Sequence, residues 1–189
     1  MVGQDRAVDE PTTWWQCEPR RLARDRQEVG KQFPTLEWSD EDAGRWTGRL
    51  PRWPFDRAEP EGVAELIGDE GLLVDVRYGH AYPMIPPAIY PGDPEPCFIE
   101  RTEHRWHVMG DGSLCLMQAD AMWTGRDSIV DLLLKAAGWR LEYALMKTGV
   151  IETMTLRGIV NDPCLDHLFA VTAAGLSDAP PHDEPGDAA

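Results

Sequence analysis

The sequence predicts an α+β fold, with helices at both ends and a meander of antiparallel strands between them. Three observations point there. Residues 19–32 and 127–147 repeat apolar side chains at helical spacing. Residues 35–78 hold short runs in which apolar and polar side chains alternate. Between the two regions, four prolines stand within the ten residues Tyr82 to Pro91, which forbids a helix. Strands adjacent in sequence and flanked by helices pack as an antiparallel sheet with helices against it.

Taken in order, residues 1–17 read as a polar arm ending in Trp14-Trp15. Glu18-Pro19 is a helix start, with proline in the first turn. Leu22, Arg26, Val29 and Phe33 share a face and Pro34 stops the run, so a helix is predicted over 19–32. Strands are predicted at Thr35 to Trp38, at Arg45 to Arg52, and at Leu72 to Tyr78. In the last, Leu72, Val74 and Val76 face one side and Leu73, Asp75 and Arg77 the other. Pro54 to Gly71 is an acidic connection, in which Glu61 to Ile67 adds a helical turn or a short strand.

The proline-rich run is expected to be extended and rigid. Tyr82, Ile85, Ile89 and Tyr90 make it too apolar for a free linker, so it should lie on the core. A turn at Pro91 to Pro96 follows, and Cys97 to Glu100 reads as another strand. The long helix over 127–147 has one apolar face built from Ile129, Leu132, Leu133, Ala136, Tyr143 and Met146, with Trp139 or Arg140 completing it. Asp127 or Ser128 caps it and Gly149 stops it. A final helix is predicted over 163–174, capped by Asn161 or Asp162, opened by Pro163 and ended by Gly175. The organisation expected is a polar arm over 1–17, one domain over 18–175 with a C-terminal helical extension, and a disordered tail over 176–189.

Composition bounds what such a chain can do. It has 189 residues, 42% of them hydrophobic, and eight tryptophans, enough for a proper core. Its net charge of −15, from 33 acidic and 18 basic residues, repels phosphate backbones and argues against a nucleic-acid partner. No stretch reaches the ~20 apolar residues that span a bilayer, and residues 1–16 lack the apolar centre of a signal peptide. A cytoplasmic protein without a membrane partner is expected. Cys17, Cys97, Cys115 and Cys164 are then reduced thiols, not a disulfide framework.

The chemistry concentrates in His104 to Trp123, HRWHVMGDGSLCLMQADAMW. Asp111-Gly112 is a turn dipeptide. If Ser113 to Leu116 is extended, Leu114 and Leu116 point one way and Cys115 the other. Two leucines would anchor in the core while the thiol sits at the surface, with the backbone of Met109 to Gly112 and His107 near the sulfur. The competing reading is an inert thiol, because free cysteine between leucines is commonly buried.

The order of these features resembles the ubiquitin-conjugating enzymes. The residues that carry the likeness are Tyr82, Pro83, Pro86 and Pro87, then His107, then Gly112-Ser113-Leu114-Cys115-Leu116, then Trp123 eight residues after the cysteine, and the helix from Asp127. The helix at 19–32 and the Trp46 strand take the family's order too, so the likeness covers about residues 18–147. The eukaryotic enzymes place a His-Pro-Asn triplet before the cysteine. Here the segment is His107-Val108-Met109, without the asparagine, and the step from His107 to Cys115 is shorter. In this the chain looks more like the prokaryotic ubiquitin-conjugating-like proteins of bacterial antiphage and conjugation operons.

The resemblance implies a ubiquitin-conjugating-enzyme-like fold and an acyltransferase without cofactor or metal. Cys115 would carry the C-terminal carboxyl of another protein as a thioester and pass it to an amine. The protein presenting that carboxyl would be a ubiquitin-like protein or a signalling nucleotidyltransferase, with a separate activating enzyme where one is needed. A free thiol ionises enough near neutrality that no strong base is obligatory. The step does need donors aimed at the tetrahedral oxygen. In place of the asparagine, His107 or backbone N–H groups of Gly110, Gly112 and Ser113 would supply them, and Asp111 would orient the amine. Asp111 also reads as a turn former, His107 as a structural hydrogen bonder, and Trp123 as packing beside the site. Two other functions fit the residues. Cys97, His104, His107 and Cys115 are all zinc-ligand types within nineteen residues, though their spacing matches no paired finger pattern. A ubiquitin-conjugating fold that only binds is the other.

Overall fold

In a computed structural model, which describes residues 12–117, 123–155, 158–160 and 162–177, the chain is an α+β protein. Its sheet has four antiparallel strands in sequence order: β1 (Glu37–Ser39), β2 (Arg45–Arg49), β3 (Leu73–Arg77) and β4 (Ala88–Asp93). Register explains the two faces. Trp38 stands opposite Trp46, Trp46 opposite Val76, and Val76 opposite Ile89, a row of apolar side chains across all four strands. Thr47, Asp75 and Tyr90 form the alternate row, which faces outward.

The helices are α1 (Trp14–Cys17), α2 (Pro19–Gln32), α3 (Val63–Ile67), α4 (Ile129–Lys147) and α5 (Asp166–Ser177). The inner sheet row joins Val29 of α2, Phe33 at its C-terminal cap, Val63 of α3 and the apolar residues of α4 in one buried cluster. Helix α2 has the bounds the sequence predicts. The long helix starts two residues later than expected, because Ser128 is the cap and accepts from the Val130 N–H (3.2 Å). Asp127 instead accepts from the Thr124 N–H (2.6 Å). Gly149 follows the helix at φ +75°, the left-handed conformation that a stop requires.

Other stretches differ from expectation. The proline-rich run is only partly a rigid irregular segment: its second half, from Ala88, is strand β4, hydrogen-bonded along β3. Pro91 is tolerated because β4 is an edge strand and the ladder shifts register at Leu73/Val74. Cys97 to Glu100 is not a strand but a turn leading into a 3-10 helix, Glu100–Thr102. The Glu100 carboxylate takes the Cys97 N–H (2.8 Å), a local bond that competes with any ladder. The last helix begins as a 3-10 turn, Pro163–Leu165, under an Asp162 cap, and α5 continues through Gly175 to Ser177. Of the two outcomes expected for Glu61 to Ile67, a helical turn is the one found, as α3 over Val63–Ile67.

The expected polar arm ends inside the core. Trp14 is 4% exposed, its indole N–H donates to the Ala43 carbonyl (2.7 Å), and its ring stacks on Tyr78. Residues 1–11 and 178–189, which hold the rest of the arm and most of the expected tail, lie outside the described residues. Among the described residues no helix is long and apolar enough to cross a membrane.

One buried polar network fixes how α2 meets the segment that precedes α4. Arg21 Nε–H donates to the Tyr82 hydroxyl (2.6 Å), and the other guanidinium nitrogens donate to the carbonyls of Gly125 (2.9 Å) and Asp127 (2.6 Å). Tyr82 and Tyr78 hydroxyls donate in turn to Asp25 (2.5 and 3.2 Å). The guanidinium also lies 5.0 Å from the Tyr82 ring and 5.8 Å from Trp123.

Candidate active site

The cysteine turn is assembled from three local devices. The 3-10 turn His104–Trp106 ends at His107, which adopts the left-handed conformation (φ 50°) and reverses the chain. Val108 and Leu114 then form a short antiparallel bridge, closed by Met109 N–H to the Ser113 carbonyl (2.7 Å) and Gly112 N–H to the Met109 carbonyl (2.9 Å). Gly112 sits at φ +90°, a backbone conformation that favours glycine, and a Cβ there would press on the Arg101 guanidinium at 3.0 Å.

Beyond the turn, the Leu114 N–H donates to the Ile89 carbonyl on β4 (2.8 Å) and the Cys115 N–H to the His107 carbonyl (2.8 Å). The cysteine segment is thereby attached to the sheet edge. Leu114 is buried, Leu116 half-buried, and Cys115 exposed. This is the alternation expected from the sequence, and it excludes the sealed core thiol. Exposure does not single Cys115 out, because Cys17, Cys97 and Cys164 are also free and exposed. What distinguishes it is its place on a doubly bonded turn.

Asp111 and Ser113 are brought together. Asp111 Oδ1 accepts from both the Ser113 N–H (2.9 Å) and its hydroxyl (2.7 Å), while Oδ2 accepts from the Tyr90 hydroxyl (3.3 Å). The Ser113 hydroxyl and then its N–H hold the Asp111 carboxyl below the usual aspartate range, so it stands as a fixed, ionised acceptor. Gly112 and Ser113 spend their N–H groups inside the turn. Of the expected oxyanion donors this leaves the N–H of Gly110 and the imidazole of His107. Gly110 is exposed and has open space where a side chain would stand.

Two further residues bear on the turn. Tyr90 links Asp111 to the outer sheet face, where Arg77 lies 4.5 Å from its ring. Glu142 on α4 is 2% exposed and within electrostatic reach of His107. Burial pushes the Glu142 carboxyl above its ordinary range, against bonds from the Thr155 N–H (2.6 Å) and hydroxyl (2.8 Å). The signal was available, an acid inside the apolar run of the long helix. Trp123, expected to pack beside the cysteine, packs near Tyr82 and Arg21, and its indole N–H donates to the Pro83 carbonyl (2.7 Å), which fastens the proline-rich turn.

Among the described residues no three His, Cys, Asp or Glu side chains gather as a metal-holding group. Cys97, His104, His107 and Cys115 are therefore not brought together as zinc ligands. The Cys97 N–H is instead bonded to Glu100, whose carboxylate also accepts from the Tyr143 hydroxyl and the Lys147 ammonium (2.9 Å each). Compared with protein-family models and with curated proteins, the chain finds no match.

Proposed function

We propose that this protein is an acyl carrier of the ubiquitin-conjugating type, with Cys115 as nucleophile. The reading is supported above all by the presentation of Cys115, an exposed thiol between a buried and a half-buried leucine on a segment bonded to both β4 and His107. The order of α2, a four-stranded meander, the proline-rich run, the cysteine turn and the long α4 is in keeping with a ubiquitin-conjugating-like fold.

The Cys115 thiolate attacks the activated C-terminal carbonyl of a partner protein. A sulfur–carbon bond forms, and the activating group leaves with its electron pair. An amine then attacks the thioester carbonyl, loses its proton to solvent, and expels Cys115 as thiolate. His107 and the Gly110 N–H stabilise the tetrahedral oxygen, and ionised Asp111 orients the incoming amine. The partner is a ubiquitin-like protein or a signalling nucleotidyltransferase, charged by a separate activating enzyme, and the setting is bacterial antiphage defence.

Intact-mass analysis with a candidate modifier, activating enzyme and ATP tests this. The expected product is an adduct released by a reducing thiol and mapped to Cys115, which becomes thiol-resistant in Cys115→Ser. A labile adduct that persists in Cys115→Ala, carried by Cys17, Cys97 or Cys164, overturns the assignment.

A further inference from the structure

A cavity of about 280 Å³ opens between the loop after α3 and the middle of α4, lined in part by Arg49, Gly68, Glu70, Gly71, Asp93 and Arg140. Its two arginines differ in kind. Arg49 is saturated: it pairs with Glu70 (3.0 Å) and Asp93 (2.8 Å) and donates to the Gly71 carbonyl (3.1 Å). Arg140 is half-buried and its side chain makes no hydrogen bond or ion pair with any described residue. Burial pushes its guanidinium below the ordinary arginine range, against the charges of Asp93 and then Tyr143, and Arg49 repels it. A desolvated, unpaired guanidinium is unfavourable, and its natural complement is an anion.

We infer that this cavity binds a small carboxylate, gripped by the Arg140 guanidinium. A guanidinium presents a planar fork that a carboxylate matches with two parallel hydrogen bonds. The lining carries three carboxylates, Asp69, Glu70 and Asp93, against two guanidiniums. These carboxylates are already paired, Glu70 and Asp93 with Arg49 and Asp69 with Arg52, and the repulsion they leave weighs less on one negative charge than on the two of a phosphate. The volume lies just below the roughly 300–1,000 Å³ of sites for larger ligands, so a nucleotide does not fit. The carboxylate is either a free acid or an acidic side chain offered by a partner, and the site stands independently of the chemistry at Cys115.

Two-dimensional NMR of the arginine Nε–H and backbone amide signals in the full chain tests it. The probes are acetate, glutarate, inorganic phosphate and a neutral-ended peptide with one glutamate, against sodium chloride at equal ionic strength. Saturable shifts are expected at Arg140 and at the Gly68 and Gly71 amides with acetate or with the peptide, and none with chloride. The tighter of the two identifies the source. Arg140→Lys keeps the charge but loses the fork, and should weaken binding by about tenfold. Asp93→Asn removes a repelling carboxylate and should tighten it severalfold. Shifts that never saturate, phosphate binding tighter than acetate, or unchanged affinity in Arg140→Lys overturns the inference.

Discussion

Replacing Arg21 by methionine isolates what the buried network contributes. The side chain is 6% exposed and Asp25 is fully buried, so the ion pair between them (3.0 Å) has little access to water. Asp25 Oδ1 has no hydrogen-bond partner among the described residues and depends on Arg21 alone. Breaking one partner of a buried pair costs about 3–5 kcal/mol. The upper end is bounded, because Asp25 can take up a proton instead. Protonating a carboxyl of ordinary pKa at pH 7 costs about 4 kcal/mol at 1.36 kcal/mol per unit. Burial already pushes Asp25 above its ordinary value, against the bonds from Tyr82, Arg21 and Tyr78, so the charge penalty falls short of that. A loss of about 3–4 kcal/mol at pH 7 is expected. In Arg21→Met the folded-state pKa of Asp25 rises further above its unfolded value. A raised pKa means stability lost as pH rises through it and regained as pH falls, so the gap to the parent protein should narrow between pH 7 and about pH 4. Adding Asp25→Asn should recover most of the loss, leaving about 1–2 kcal/mol for the bonds to Gly125 and Asp127. Urea unfolding followed by tryptophan fluorescence at both pH values measures this. A loss below 1 kcal/mol, a gap that widens in acid, or a double variant no better than the single would refute the reasoning.

Four further outcomes are expected. Glu100→Gln should cost about 1–3 kcal/mol at pH 7. Burial pushes Glu100 up, but the bonds from Lys147, Cys97 and Tyr143 outweigh it and leave its pKa lowered. Its contribution should therefore vanish as pH falls through and below the ordinary glutamate range, so parent and variant converge in acid unfolding curves. Gly71→Ala should destabilise by about 3 kcal/mol or more, because its Cβ would lie 1.9 Å from the Leu50 carbonyl oxygen, backbone that cannot rotate away; denaturant midpoints show it. Gly30→Ala, on an exposed position of α2 with nothing within 4 Å of the new methyl, should stabilise by about 0.5–1 kcal/mol in the same measurement. Asp111→Ala releases the Ser113 N–H and hydroxyl, and should slow adduct formation at Cys115 by about tenfold or more while the fold's far-ultraviolet spectrum is unchanged.

Much of this protein is legible in its residues. Helix α2, the long α4 and the alternation in Leu72 to Tyr78 are written locally as periods. The buried faces differ in part from those expected: α4 is buried on nearly every side from Ala136 to Met146 except at Arg140, and in α2 Arg26 is exposed while Arg21 and Asp25 are buried with Val29. Leu114, Cys115 and Leu116 belong with them: a buried and a half-buried leucine force the intervening thiol outward. The turn chemistry of Asp111-Gly112 is equally local, since an Asp side chain bonds two residues on and glycine accepts the positive φ.

The departures arise where a distant partner sets the outcome. Proline density argues against a ladder at Ala88 to Asp93, yet that stretch is a strand because β3 offers it an edge that needs only half of its N–H groups. Apolar Phe98 and Ile99 suggest a strand, yet both are exposed on a turn because Glu100 is drawn inward by Tyr143 and Lys147, more than forty residues away. Glu142 stands out in the sequence only as an acid in an apolar run, and the fold alone places it under Thr155 and near His107. Periodicity and turn preference are short-range properties, so the sequence alone determined the longer helices α2, α4 and α5, which face of the cysteine segment is buried and where its chain reverses. Pairing of buried charges and completion of a sheet edge depend on groups remote along the chain, and those only the tertiary structure decided.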